Sequence, residues 1–212
     1  MTYQIVGSPR MGTSFLANMA LIENNYVGLS EFFEPASESV LNKDFSHYTI
    51  DERFKYLEEC KLKNIHYVLK IFPYKLISIG YKDQLVNYLK DYKILTINRN
   101  PFDACLSFCY QIHTRWKTPH RINNEFYISK PFNVKLRRVS DYVEMYKINT
   151  NFLREVNVFK SFEYQDLTVD NLETFFGVKN STPLSPININ YRDLILNLDQ
   201  VEEVFNNEMY GT

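Results

Sequence analysis

Short apolar runs alternate with amphipathic stretches along the whole chain. Tyr3-Gln4-Ile5-Val6 predicts a strand that breaks at Gly7-Ser8-Pro9, residues that punctuate regular structure. From Thr13 to Glu23 the apolar positions Phe15, Leu16, Met19 and Ala20 follow helical spacing. Asp51 to Lys63 predicts another helix, with Phe54, Leu57 and Cys60 on one side. His66 to Phe72 reads as a strand stopped by Pro73. A helix over Lys82 to Asp91 leads into a strand over Tyr92 to Ile97. Pro101 suits the first turn of a helix, where its missing N–H has no partner to lose, and Phe102 to Ile112 continues that helix. His113 to Pro131 is polar, basic and aromatic, and reads as a long loop. Phe132 to Val156 is mostly helical and Val158 to Phe162 is a further strand. Helices follow over Asn171 to Phe176 and Asp193 to Asn207, separated by a Pro/Ser/Asn-rich connection from Asn180 to Asn190.

Strands alternating with helices predict an α/β fold, a three-layer sandwich around a central parallel sheet. Its crossovers should be right-handed. Such sheets bind ligands beyond the carboxyl ends of their strands. The informative segments are therefore Gly7 to Ser14, Lys70 to Pro73, Asn98 to Asp103 and Glu163 to Asp166. No internal repeat or low-complexity tract divides the chain, so residues 1–212 are expected to form a single domain. A chain of 212 residues buries roughly 70% of its unfolded surface and needs no metal or disulfide staple. Lys+Arg is 24 and Asp+Glu is 25, for a net charge of -1, which excludes bulk nucleic-acid binding and leaves room only for a local basic pocket. Gly 6 and Pro 8 exclude collagen-like or linker-like chains. Cys60, Cys105 and Cys109 are odd in number and unpaired in pattern, so buried thiols in a reducing, cytoplasmic compartment are expected. No run of about 18 apolar residues marks a membrane span, and no signal-type leader precedes the first strand.

The turn after that strand carries the first chemical signal. Gly7 and Gly12 free the backbone to curl, so that successive N–H groups point into one concavity. A helix N-terminus adds its partial positive charge. The result is a cradle for phosphate or sulfate in a P-loop-like nucleotide-binding fold. The G-x-x-x-x-G spacing fits a P-loop, but Thr13 stands where the P-loop lysine belongs. Arg10 and the hydroxyls of Thr13 and Ser14 strengthen the anion reading over a merely tight, capped turn.

Ser8-Pro9-Arg10-Met11-Gly12-Thr13-Ser14-Phe15-Leu16 resembles the 5'-phosphosulfate loop of the sulfotransferases, written P-R-S-G-T-T-x-L. That family transfers a sulfuryl group from 3'-phosphoadenosine 5'-phosphosulfate (PAPS) to a hydroxyl or amine. The resemblance implies that Ser8, Pro9, Arg10, Met11, Gly12, Thr13 and Ser14 form the co-substrate loop. Within it, Arg10, Gly12, Thr13 and Ser14 would hold the phosphosulfate. Met11 replaces the common serine or threonine, which removes one hydroxyl contact.

Asn98-Arg99-Asn100-Pro101-Phe102-Asp103 follows a second apolar strand, with Ser107 about two turns along the next helix. An arginine fork and a serine hydroxyl can grip one phosphate with charge-assisted bonds. The segment resembles the family's 3'-phosphate motif, R-N/D-P-x-D-x-x-x-S, and implies Arg99 and Ser107 as 3'-phosphate ligands. The plain alternative for Arg99 is a surface ion pair, for example with Asp103. A P-loop kinase needs an acid at a strand end to help hold magnesium, and Asn98 and Arg99 stand there instead. His47, His66, His113 and His120 are scattered without metal-site spacing, so no metal is expected.

Sulfuryl transfer builds negative charge on the oxygen that leaves sulfur, and cations placed there act on the transition state. Arg10 is one candidate. Lys70 is the other, resembling the lysine of the K-T-H segment of cytosolic sulfotransferases. Phe72 occupies the place of their histidine base, and a phenyl ring accepts no proton. Gly28-Leu29-Ser30-Glu31-Phe32-Phe33-Glu34 resembles the G-E-L/F-F segment of bacterial carbohydrate sulfotransferases, which implies Glu31 as the base, with Glu34 as the alternative. Phe32 and Phe33 beside it would desolvate the carboxylate and raise its pKa.

His113-Thr114-Arg115-Trp116-Lys117-Thr118-Pro119-His120-Arg121 combines cations with the one tryptophan, as a lid or acceptor platform or as a solvated loop with one aromatic anchor. Phe162-Glu163-Tyr164-Gln165-Asp166-Leu167 resembles the family's Y-E-D-L segment, with Gln165 in place of the glutamate. Tyr191 to Val204 resembles its C-terminal helix region. The basic R-K-G-x-x-G-D-W-K motif of cytosolic members is absent, as is the lysine that precedes the last helix in bacterial relatives. The sequence thus implies a PAPS-dependent sulfotransferase acting on a carbohydrate or small-molecule hydroxyl, with no nucleic-acid partner. A degenerate P-loop kinase using ATP and a non-catalytic nucleotide-binding module are the rival readings.

Overall fold

The computed structural model describes residues 2–22, 27–29, 32–33, 45, 47–114, 130–177 and 189–211. In chain order the elements are β1 (Tyr3–Val6), α1 (Thr13–Ile22), β2 (Val27–Leu29), α2 (Ile50–Leu62), β3 (Tyr67–Ile71), α3 (Pro73–Ile77), α4 (Lys82–Leu89) and β4 (Lys93–Asn98). They continue with α5 (Pro101–His113), α6 (Arg137–Leu153), β5 (Val158–Glu163), α7 (Val169–Phe176) and α8 (Leu198–Tyr210), with short 3-10 turns at Tyr164–Asp166 and Tyr191–Leu194. The strands form one five-stranded sheet in the order β2-β3-β1-β4-β5. Every neighbouring pair is parallel, as the alternation of strands and helices predicts.

The chain divides into two compact units, one of Met1–Asn98 with Asn149–Pro183 and one of Arg99–Ile148 with Leu184–Thr212. The first unit holds the whole sheet. All five residues of β3 are buried, which explains its near-continuous apolar run. Side chains alternate across a strand. Tyr67, Leu69 and Ile71 join Val6, Ile94, and Phe54, Leu57, Leu85, Tyr88 and Leu89 of α2 and α4 in one buried cluster. Lys70, between them, points to the opposite face, where its Nζ donates to Ser14 Oγ of α1 at 3.0 Å. Helices therefore cover both faces, and the fold is the expected three-layer α/β sandwich.

Two buried polar side chains organise this unit. Gln4, with no exposed surface, donates to the Tyr67 carbonyl at 3.5 Å and accepts from Leu69 N–H at 2.9 Å. Arg53 is 1% exposed. It donates to the carbonyls of Phe32, Phe45 (2.6 Å) and Tyr48 (3.2 Å). Burial lowers its pKa, yet an arginine stays charged and the carbonyl dipoles compensate it. The start of α2 is a capping box. Thr49 Oγ1 accepts from Glu52 N–H at 3.2 Å, and the Glu52 carboxylate accepts from Thr49 N–H at 2.7 Å.

The second unit is built by helices. Phe102 packs on Phe205, with ring centroids 5.0 Å apart, and Phe108 on Tyr142 at 5.4 Å. The Tyr142 hydroxyl is buried without a hydrogen-bond partner among the described residues. Cys60, Cys105 and Cys109 are buried thiols, and hydrogen bonding to Cys109 together with burial pushes the Cys105 thiol up.

Several expectations shift. Pro73 both stops β3 and starts α3 at its first position, the place where proline is tolerated in a helix. Val27–Leu29 adds an unexpected strand beside β3. The predicted helix from Phe132 begins only at Arg137, because Phe132 pairs with Ile195 in a parallel bridge. That pairing also interrupts the predicted helix from Asp193. Asn197 exchanges hydrogen bonds with the backbone of Val134, accepting from its N–H at 2.8 Å and donating to its carbonyl at 3.1 Å. The last helix accordingly starts at Leu198. Among the described residues no helix is long and apolar enough to cross a membrane, and no three His, Cys, Asp or Glu side chains group as metal ligands.

Candidate functional site

The turn between β1 and α1 lies in the first unit. Gly7 N–H still bonds the Ile71 carbonyl at 3.2 Å, and the chain then leaves the sheet. Arg10 and Gly12 take positive φ, 65° and 93°. For arginine this left-handed conformation costs about 1–2 kcal/mol, which the turn sustains. The Gly12 carbonyl accepts from Phe15 N–H at 3.0 Å and Leu16 N–H at 3.2 Å. It therefore caps α1, and the N–H groups of Thr13 and Ser14 have no acceptor within the helix. These donors and the helix dipole suit an anion. Gly12 is required twice over. Besides its φ, a Cβ there would stand 2.9 Å from Leu167 Cδ1 and 3.2 Å from Tyr164 Cε2. The Tyr164 to Leu167 segment thus walls the turn, a structural part its sequence did not disclose.

Ser8, Met11 and Thr13 are buried at 5%, 4% and 3% exposure, so their side chains brace the turn. Ser8 Oγ accepts from Asn149 Nδ2 at 3.2 Å, and Asn149 Oδ1 accepts from Tyr74 N–H at 2.7 Å. Asn149 carried no signal in the sequence; it is one polar residue in a long helix. Lys70 lies within β3 rather than after it. Its stem is buried and its ammonium meets the exposed Ser14 hydroxyl. Nζ also stands 5.4 Å from the centre of the Phe72 ring, whose face is electron-rich. The Phe72 ring so supports the lysine. Arg10, Lys70 and the start of α1 make this end of β1 rich in donors and positive charge.

β1 and β4 are sheet neighbours, so their carboxyl ends open on the same edge of the sheet. The chain leaves β4 into the second unit. Asn100 Oδ1 accepts from Phe102 N–H at 2.9 Å and Asp103 N–H at 3.2 Å. It is the cap of α5, with Pro101 at the first helical position. Arg99 lines a cavity of about 250 Å³ together with Asp103, Leu106, Ile189, Asn190, Tyr191 and Arg192. Asp103 pairs with Arg192, Nη2 to Oδ1 3.2 Å, rather than serving only the start of its helix. The Arg192 guanidinium lies 5.0 Å over the Phe102 ring. Ser107 is 1% exposed within α5. Burial first, then Cys105 and Tyr146, push the Tyr142 hydroxyl well above its ordinary pKa, and the Arg99 charge opposes them.

Glu31, Glu34 and the Arg115 to Arg121 stretch lie outside the described residues. Their described neighbours are placed. Phe32 and Phe33 are buried, and Phe32 meets Phe45 edge to face at 4.8 Å. His113, at the end of α5, stacks on Phe132 at 3.8 Å. Ser14 and Lys70 are brought into contact. Arg192 is the cavity residue that motif reading missed, since its only signal is a cation shortly before the last helix.

No family model and no curated protein matches the chain. A solved structure to which it is similar is a sulfotransferase from Alicyclobacillus acidocaldarius, at 16% identity and a TM-score of 0.43, over 99% of this chain and 95% of that one.

Proposed function

We propose that the chain is a sulfotransferase that moves a sulfuryl group from PAPS to the hydroxyl of a carbohydrate or small molecule. The observation that carries this reading is the buried Lys70 presenting its ammonium to Ser14 at the start of α1, on a segment that resembles the family's phosphosulfate loop. The backbone N–H groups of Thr13 and Ser14 bind the 5' end, held in shape by Gly12, Ser8, Pro9 and Met11. Arg10 and Lys70 stabilise the charge that grows on the bridging oxygen as its bond to sulfur breaks. Arg99 and Ser107 bind the 3'-phosphate. Glu31 takes the proton from the acceptor hydroxyl as its oxygen bonds to sulfur. The products are a sulfate ester and adenosine 3',5'-bisphosphate.

The test is transfer of labelled sulfuryl from PAPS to pooled acceptors, with Lys70→Met beside the unaltered chain. Methionine keeps the buried stem and removes the charge. Turnover should fall by about 10²–10³-fold, while adenosine 3',5'-bisphosphate still raises the melting midpoint without magnesium. Full turnover in the variant would remove Lys70 from the reaction, and stabilisation by ATP only with magnesium would favour a kinase.

A further inference from the structure

We infer that Arg192 is a second cation for the 3'-phosphate and sets the preference for 3'-phosphorylated nucleotides, an inference that rests on the sulfotransferase reading. Arg99 and Arg192 line the same cavity of about 250 Å³. That is smaller than the roughly 300–1,000 Å³ of pockets that enclose a whole drug-sized ligand. It fits one end of a ligand, such as a phosphate with part of its sugar. Among the described lining residues the charged side chains are Arg99, Arg192 and Asp103, and guanidinium forks match phosphate oxygens.

The start of α5 has little to offer an anion. Pro101 has no N–H, and the N–H groups of Phe102 and Asp103 are taken by Asn100 Oδ1. Side chains must therefore make the grip. Arg192 is arranged for it. Its guanidinium rests over Phe102 at 5.0 Å and gives one N–H to Asp103 at 3.2 Å. The other N–H groups of its five-donor set remain to meet a phosphate. The Asp103–Arg192 pair is about half exposed, at 45% and 46%, so it holds the arginine in place only weakly, by about 0–1 kcal/mol. An incoming dianion competes with it readily.

The experiment measures binding of adenosine 3',5'-bisphosphate and adenosine 5'-monophosphate to the full chain, unaltered and as Arg192→Ala, Arg192→Gln and Arg192→Lys. The unaltered chain should prefer the bisphosphate. Arg192→Ala and Arg192→Gln should each cut that preference by about 10–100-fold with monophosphate affinity unchanged, and Arg192→Lys should restore part of it. Glutamine retains a hydrogen-bonding group beside Asp103, so it separates loss of charge from loss of packing, and melting midpoints verify folding. An unchanged preference in both variants overturns the inference and leaves the sulfotransferase reading standing. Equal weakening of both nucleotides also overturns it, because Arg192 would then only support the local structure. An unaltered chain without preference removes the sulfotransferase reading itself.

Discussion

The two strand-end segments handle the start of their helices in opposite ways. After β1, glycine stands at the cap, so the first N–H groups of α1 stay available, and Tyr164 and Leu167 close in where a side chain would otherwise be. After β4, Asn100 satisfies the first N–H groups of α5, and the cations of that segment sit on side chains lining a cavity. One segment offers backbone and the other offers side chains. A backbone cradle reads the charge and shape of an anion and changes only when the chain path changes. A side-chain grip can be retuned one residue at a time. In the proposed enzyme, tolerance should therefore differ sharply between the 5' and 3' ends of the nucleotide.

Gly12→Ala gives the largest expected effect on this contrast. The added methyl meets Leu167 and Tyr164, and alanine resists a φ of 93°, a strain of about 1–3 kcal/mol. Loss of one aligned charged hydrogen bond or more should weaken adenosine 3',5'-bisphosphate and 5'-monophosphate alike by about 10–100-fold. Calorimetric titration of both checks it; a change confined to the bisphosphate would contradict the division of roles.

Asn100→Ala comes next. It removes the cap of α5 and should lower stability by about 1 kcal/mol, read from a denaturant midpoint, with the bisphosphate preference intact. A preference that rises would mean that the freed N–H groups of α5 take part, and the contrast between the two helix starts would collapse.

The smallest effect uses the start of α2 as a reference, where the cap is itself ionised. Hydrogen bonds to the backbone and side chain of Thr49 hold Glu52 below its ordinary value of 4.5. A depressed folded-state pKa adds stability that is complete above 4.5 and is lost as pH falls through the lower, folded value. Melting midpoints of the unaltered chain should fall in that acid window more than those of Glu52→Gln. Identical acid profiles would show that the capping box contributes nothing there.

Much of this contrast was readable in the sequence. Gly7, Gly12, Arg10 and the break after Val6 announce a strand-to-helix turn, and Pro101 announces the start of α5. Local rules suffice because both features depend on the conformations of adjacent residues. Asn149, Tyr164 and Arg192 were not assigned, since each acts on a partner distant in the chain and their residue types fit many surroundings. The same holds for Phe132 and Asn197, whose long-range pairings displaced two predicted helix starts. Glu31 rests on motif likeness alone. Phe72 was legible only as a side chain that accepts no proton; its placement beneath the Lys70 ammonium came from the fold.

The Arg53 guanidinium has a consequence for how this part of the protein comes apart. Phe32, Phe45 and Tyr48 lie in connecting chain between β2 and α2, and their carbonyls converge on that one side chain. Such a knot cannot fray strand by strand. Its three tethers release together, so the amides of Phe32, Phe45 and Tyr48 should exchange through a single cooperative opening.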